Sequence, residues 1–403
     1  MSENKVIVDE SKIQNILSKN VEEIFIKENL EKKLQSGKIL RVKLGFDPTG
    51  PNIHIGRATV LRKLKEFQEL GHTIVFLVGD FTAKIGDPSD KLDKRPMLTD
   101  EKIKENLKQY KKQVGKILDL EKAEFHYNSK WLSKLKFGDL IDLAESFSVS
   151  QMANRRNFKE RLERGEEVSL REFLYPLMQG YDSVALDADI EIGGFDQLFN
   201  LKAGRIVQKH FGKPEQDILT MTMLEGTDGR KMSTSWGNVI NILDEPNDMF
   251  GKVMAMSDDL IVKYFACATD LPKEKVKKIS DEIAIGVLHP KEAKMQLAGE
   301  IVKMFWDEKS AIAAKKNFES VFSGGAVPED IEEVLVDKGT KLVDVLIYKK
   351  LVASKGEMQR LVKEGAIKNL DTDTKIDNRD FTINETVVLK IGKKRFIKIL
   401  IKG

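Results

Sequence analysis

Between Ile39 and Val78 the chain reads strand, turn, helix, strand, and that order leaves few folds open. Ile39 to Leu44 is a strand-like run, followed by the turn-forming stretch Gly45-Phe46-Asp47-Pro48-Thr49-Gly50-Pro51-Asn52. Leu61, Leu64, Phe67 and Leu70 then repeat at helical spacing as far as Gly71, and Ile74 to Val78 is apolar without interruption. A strand with no polar alternation is covered on both faces, which is the habit of a parallel sheet in a βαβ unit. The class expected is α/β.

The flanking sequence is mostly helical. Ile13, Ile16, Leu17, Val21, Ile24, Leu30 and Leu34 mark one helical face, and Gly37 supplies a stop. Residues 100 to 180 read mainly as helix, Ala185 to Ile192 alternates as a strand does, and Asp244 to Phe322 is helical again. A length of 403 residues exceeds one ordinary core. Three domains are expected: residues 1–240 with the sheet, a helical domain over 241–325, and a small one over 338–403. Ser323-Gly324-Gly325-Ala326-Val327-Pro328 and Asp337-Lys338-Gly339-Thr340 are the two candidate breaks before the last.

Composition excludes several classes. No apolar run approaches the roughly 20 residues of a membrane helix, and Met1 to Lys19 lack the apolar stretch of a secretory signal, so a soluble cytoplasmic protein is expected. Cys267 is the only cysteine, which leaves neither an internal disulfide nor a cysteine-built metal centre. Charge is uneven. From Lys341 to Gly403 there are 15 Lys and Arg against 8 Asp and Glu, a net +7, whereas the whole chain carries +3. A basic end on a near-neutral body suits a polyanion-binding module or a solvated charged face.

Two motifs carry chemistry. His54-Ile55-Gly56-Arg57 falls where the first strand hands over to the helix, the place at which a doubly wound sheet binds ligands. Unpaired N–H groups at the helix start, close approach over Gly56 and donors from His54 and Arg57 suit a triphosphate; a helix-capping histidine fits the same letters. Far along the chain, Asp228-Gly229-Arg230-Lys231-Met232-Ser233-Thr234-Ser235 is a polar loop with adjacent cations. A lysine there can meet charge that gathers on departing pyrophosphate in the transition state, or it can be a solvated loop.

Together and in this order, the motifs resemble the paired signatures of class I aminoacyl-tRNA synthetases. Gly45-Phe46-Asp47-Pro48-Thr49, His54-Ile55-Gly56, Gly86-Asp87-Pro88-Ser89, Tyr175-Pro176-Leu177-Met178-Gln179-Gly180-Tyr181-Asp182 and Gly193-Gly194-Phe195-Asp196-Gln197 are similar to the tyrosyl-tRNA synthetases of bacterial type. The resemblance implies a Rossmann-like catalytic domain, a helical domain on the anticodon side, and a homodimer. It implies activation of L-tyrosine by ATP with Mg2+, no prosthetic group and no dedicated metal site, and transfer to tRNA(Tyr). Residues matching Tyr175 and Asp182 would hold the phenol hydroxyl, and Asp87, Gln179 and Gln197 the ammonium and its surroundings. Asp47 and Thr49 would face the reacting carboxylate and phosphate, while Gly194 and Asp196 would hold the ribose. His54, Gly56, Lys231, Ser233 and Thr234 would line the ATP site. His54, Arg57 and Lys231 would act on phosphate together with Lys91 and Arg95 of a cationic loop. Spacings of four, three and seven place Tyr175, Gln179 and Asp182 on one helical face.

The chain departs from the family pattern at Arg57, where a second histidine is usual, and at Thr234, where a second lysine is usual. Arg230 or Arg57 is expected to replace the missing cation. Because Arg57 is permanently charged, pH dependence near neutrality is expected to fall on His54. Lys43 stands where some members carry a tyrosine beside the substrate, and Phe195 where a small residue is commoner. Residues from Lys341 onward resemble the small RNA-binding module first known from a ribosomal protein, with Lys355, Arg360, Lys363, Lys393, Lys394 and Arg395 as its expected phosphate contacts. A tryptophanyl synthetase and a non-catalytic RNA-binding scaffold are the competing readings.

Overall fold

The computed structural model describes residues 6–89, 98–323, 331–372, 374–392 and 395–402. The chain divides into two compact units, residues 1–307 and 308–403. Lys91, Arg95, Lys393 and Lys394 lie outside the described residues.

The first unit is built on a six-stranded sheet of β1 (Val21–Phe25), β2 (Arg41–Phe46), β3 (Thr73–Val78), β4 (Ala123–Tyr127), β5 (Ile190–Gly194) and β6 (Asp217–Met221). Their spatial order is β1-β6-β5-β2-β3-β4. All neighbours are parallel except the edge pair β1 and β6. Chain order runs outward from β2 through β3 to β4, and in the opposite direction from β5 to β6. The reversal between β2 and β5 is the switch point at which such sheets open a crevice beyond their carboxyl ends.

Helix α3 (Ile55–Glu69) follows β2 and buries Ala58, Leu61, Leu64 and Phe67 against the sheet. It ends before Gly71, whose φ of +89° is a left-handed conformation that glycine adopts without strain. Helix Leu170–Ala185 packs on helix Leu198–His210, and the approach is close: a Cβ on Gly180 would sit 2.7 Å from the Val207 side chain.

Three sequence expectations differ from the fold. The apolar stripe from Ile13 to Leu34 is not one helix but α1 (Glu10–Ser18), β1 and α2 (Lys27–Gln35). Asn20 and Ile26 break it with φ of +56° and +60°, and Val21, Ile24 and Phe25 bring β-favouring side chains to the sheet edge beside β6. β4 lies inside a stretch read as mainly helical, because five residues of mixed polarity give little periodic signal. The strand expected at Ala185–Ile192 starts at Ile190, since helix runs to Ala185 and Asp187 turns the chain with φ of +47°.

Helices Pro246–Ala255, Ile261–Ala268, Lys273–Ala284 and Pro290–Phe305, expected as a domain of their own, belong to one compact unit with the sheet. Helix Glu308–Ser323 groups with the second unit instead. Arg62 of α3 donates to the Thr269 carbonyl at 2.8 Å, Asn20 to the Cys267 carbonyl at 3.0 Å, and Lys116 to the Phe305 carbonyl at 2.9 Å. These bonds satisfy helix-end carbonyls with side chains from the sheet region.

The second unit has a five-stranded sheet in the order Thr374–Lys375, Ile367–Asn369, Val387–Ile391, Arg395–Ile401, Glu333–Val336. Helices Leu342–Tyr348 and Lys355–Lys363 cover it over a core that includes Leu346, Met358, Ile367, Leu389 and Ile397. Among the described residues no helix is long and apolar enough to cross a membrane.

Candidate active site

A cavity of ≈ 880 Å³ opens at the switch point. The carboxyl ends of β2, β3, β5 and β6, the start of α3, helix Leu170–Ala185 and the loop 231–234 all contribute to its wall. His54 and Lys231, 177 positions apart in the chain, line the same cavity as Tyr175 and Asp182.

His54 caps α3. Its backbone is extended and its Nδ1 accepts the Arg57 N–H at 3.4 Å, a long bond that leaves Nε2 free to serve as a donor when the ring is neutral. Ile55 N–H donates to the Ile240 carbonyl at 2.8 Å and His54 bridges to Asn241, so the segment after the lysine loop is tied to the helix start. Loss of water and the neighbouring Arg57 and Lys231 cations lower the His54 pKa to about 3. The imidazole is therefore neutral at physiological pH, and the expectation that it titrates near neutrality is corrected.

Gly56 is packed tightly: a Cβ there would lie 3.2 Å from the Met232 sulfur and from His54 Nδ1. Met232 thus seats the lysine loop against the start of α3. Lys231 Nζ stands 3.2 Å from the Asp196 carboxylate. At Gly194 a Cβ would be 2.7 Å from the Asp196 carboxylate, so a side chain there would displace it. Arg57 donates to Thr49 Oγ1 at 3.0 Å and to the Tyr110 hydroxyl at 3.2 Å, with its guanidinium 5.4 Å from the Phe46 ring centre. Arg230 pairs with Asp228 at 2.6 Å and lies over Trp236 at 4.9 Å. Arg57, Ser233 and Thr234 line the cavity; Arg230 is absent from its wall, so of the two cations expected to stand in for Thr234 only Arg57 faces the site.

The amino-acid side of the cavity is a chain of carboxylates and donors. The Tyr175 hydroxyl donates to Asp47 Oδ2 at 2.9 Å, and Thr82 Oγ1 donates to Asp47 Oδ1 at 2.7 Å. Gly79 is required there, because a Cβ would fall 2.0 Å from Asp47 Oδ1. Asp87 accepts from Gln197 Nε2 at 2.6 Å and from Asn200 Nδ2 at 3.2 Å. Asp182, at 2 % exposure, accepts from Trp131 Nε1 at 2.7 Å and Asn128 Nδ2 at 3.2 Å. The structure therefore brings Tyr175 to Asp47 and gives Asp182 other partners, although all three share the cavity. Burial raises the Asp47 pKa to about 6 and that of Asp182 to about 7.

Several groups in this arrangement escaped the sequence reading. After β4, a strand that gave little signal, Asn128 stands at the start of the short helix Ser129–Leu132 and Trp131 lies within it. Asn238 takes the Ser233 N–H at 2.8 Å and donates to Asp228 at 2.8 Å and to the Lys231 carbonyl at 3.1 Å, holding the lysine loop from inside. Gly226 leaves room for it, since a Cβ would lie 2.2 Å from Asn238 Nδ2. Only proximity to the loop motif hinted at Asn238.

In the second unit, Lys355, Arg360 and Lys363 lie exposed on one short helix. Arg395 instead donates to Glu357 at 3.2 Å and to the Leu351 carbonyl, tying its strand to that helix.

Comparison with known proteins follows the same lines. The family described as tRNA synthetases class I (W and Y) matches residues 35–323. A tyrosine–tRNA ligase of Desulfotalea psychrophila is 46% identical over 375 residues, 92% of each chain. One of Thermotoga maritima is 42% identical over 387 residues, covering 95% of this chain and 96% of its own. Among solved structures, a C-terminally truncated mitochondrial tyrosyl-tRNA synthetase of Aspergillus nidulans shares the fold with a TM-score of 0.63 at 22% identity, over 78% of this chain and 95% of that one. The Archaeoglobus fulgidus tyrosyl-tRNA synthetase complexed with L-tyrosine gives 0.62 at 23% identity, over 76% of this chain and 100% of that one. With a phosphate-suited helix start, a lysine loop and a carboxylate-lined slot around one crevice, and with relatives this near over most of its length, the chain belongs to the class I aminoacyl-tRNA synthetases and, within them, to the tyrosine–tRNA ligases.

Proposed function

We propose that this chain activates L-tyrosine with ATP and transfers it to the 3′ end of tRNA(Tyr), using the cavity at the switch point. The observation that carries the reading is the convergence of His54, Lys231, Tyr175 and Asp182 on that cavity. In the first step a tyrosine carboxylate oxygen attacks the α-phosphorus in line, and the bond to pyrophosphate breaks. In the second, a ribose hydroxyl of the tRNA terminus attacks the carbonyl of the mixed anhydride and adenylate leaves. No protein nucleophile is needed, so the protein contributes position and donors aimed at developing charge.

The residues divide the work by location. Neutral His54 offers a hydrogen bond rather than a charge to phosphate oxygen, and Arg57 holds Thr49 beside it. Ribose hydroxyls arriving at Asp196 compete with Lys231 for its oxygens, which turns the lysine toward the phosphates as charge builds there. Ser233 and Thr234 complete that wall, with Lys91 and Arg95 assigned to the same phosphates by family likeness. Above a pH of about 7 Asp182 is a carboxylate that accepts the phenol O–H beside the Tyr175 hydroxyl, which Asp47 holds from the side of the reacting carboxylate, while Asp87, Gln179 and Gln197 face the ammonium. Magnesium enters as the companion of ATP. Among the described residues no group of three or more His, Cys, Asp or Glu is arranged to hold a metal, and no step is assigned to a resident ion.

The finer assignments are of the same kind. Exposed Phe137, Ile141, Val149, Leu162 and Leu170 crowd one stretch of sequence, which supports a homodimer contact there. Residues 241–325 are assigned to the anticodon side and 338–403 to a grip on RNA backbone through Lys355, Arg360 and Lys363, and through Lys393, Lys394 and Arg395 by family likeness. The cytoplasm is the compartment proposed, in keeping with a single cysteine. ATP–pyrophosphate exchange tests the function: tyrosine should support it and tryptophan and phenylalanine should not. Exchange driven by tryptophan, or none with any of the three, would end the reading.

A further inference from the structure

Beneath the amino-acid slot lies an ion pair with almost no contact with water. Lys43 of β2 is 0% exposed and Glu191 of β5 is 1% exposed, with Nζ and Oε1 3.0 Å apart. Lys43 Nζ also donates to the Gln179 carbonyl at 3.1 Å and to Ser183 Oγ at 2.8 Å, which accounts for its three protons. Glu191 further accepts from Gln179 Nε2 at 3.2 Å, from Ser183 Oγ at 3.1 Å and from Gln216 Nε2. Two strands and the helix Leu170–Ala185 meet in this one network.

That helix carries Tyr175, Gln179 and Asp182, and Pro176 interrupts its backbone bonding. Its bonds to the sheet through Lys43 are made one and two turns beyond the proline, at Gln179 and Ser183. Stability alone does not account for such a pair, because an apolar pair of similar volume in its place is commonly neutral or stabilising.

We propose that the buried Lys43–Glu191 pair positions the tyrosine slot by fixing helix Leu170–Ala185 on β2 and β5, and that Lys43 within it supplies the positive field that keeps Asp182 an acceptor for the substrate hydroxyl. The inference rests on the tyrosine reading above. Lys43 is a positioning residue: its protons are taken by protein atoms and none is left for substrate. The charged groups facing Asp182 are Lys43 from β2 and Glu191 from β5; the titratable Tyr175 hydroxyl from its own helix stays neutral, and Trp131 and Asn128 are neutral donors. Lys43 is the largest influence acting against the burial that raises the Asp182 pKa, and Glu191 works in the other direction.

Two variants separate position from stability. In Lys43→Met, pyrophosphate exchange should show a tyrosine KM raised about tenfold or more with the ATP KM within about twofold of wild type. The acid limb of kcat/KM for tyrosine should move to higher pH. In Lys43→Met/Glu191→Leu the ion pair becomes apolar, so melting temperature should be kept while the tyrosine KM stays raised. A folded double variant with the tyrosine KM and pH limb of wild type would overturn the proposal, and so would a double variant that does not fold, since the pair would then serve stability. Wild-type enzyme without tyrosine-dependent exchange would instead overturn the functional reading beneath it.

Discussion

At the scale of single residues, titration near neutrality belongs to carboxylates. Asp182 and Asp47 have pKa values raised to about 7 and about 6, whereas His54 and His72 are lowered to about 3 and about 4. The signs oppose each other. Between pH 4 and 7 the folded protein holds a proton on Asp182 that the unfolded chain releases, so this group's contribution to stability falls as pH rises. The histidines stay neutral when folded and protonate when unfolded, so theirs grows with pH up to about 6.5. A melting curve of the wild type sums these trends, but Asp182→Asn isolates one. The melting temperature of Asp182→Asn minus that of wild type should increase from pH 4 to pH 7 and then level off; a flat difference would show that Asp182 is not perturbed. The sequence placed both carboxylates in the site through the family likeness. Their protonation was not legible, because burial and the partners Trp131, Asn128 and Thr82 are products of the fold.

Among the elements, what could be read was what repeats. α3 and β3 were plain in the sequence because a fifteen-residue helix with apolar residues at helical spacing and the five unbroken apolar residues Ile74 to Val78 leave little choice. β1, β4 and β6 each have five residues, and their pairing is settled by neighbours far away in sequence, such as Ile24 with Leu219 and Phe76 with Phe125. The lysine loop shows the same limit. Its motif was legible, but its shape depends on Asn238, which is 4% exposed and bonded to Ser233, Asp228 and Lys231 at once. Asn238→Ala leaves these groups without their common partner and loosens the loop rather than the fold. Exchange kinetics should show kcat lower by about tenfold or more, because a lysine that acts in the transition state must be held within reach of it, with the tyrosine KM little changed. An unchanged kcat would mean the loop is shaped by nucleotide alone.

For the whole molecule, two compact units invite a division of labour. The cavity and every residue assigned to activation belong to residues 1–307, while the surplus of positive charge lies from Lys341 onward. Within the second unit the basic residues are not equivalent. Arg395 is committed to Glu357 and the Leu351 carbonyl, so its loss would disturb the unit itself, whereas Arg360 and Lys363 point outward from a helix capped by Ser354. The Arg360–Glu364 pair, at 4.0 Å and on the surface, contributes little to folding. Arg360→Glu/Lys363→Glu should therefore fold, keep tyrosine-dependent pyrophosphate exchange at the wild-type rate, and charge tRNA with a raised KM. Each phosphate contact removed lowers the slope of log affinity against log salt by about one, so tRNA binding by the double variant should be weaker and also less sensitive to salt. A loss of affinity with the slope unchanged would point to disturbed packing, and no loss at all would leave the basic helix without a part in holding tRNA.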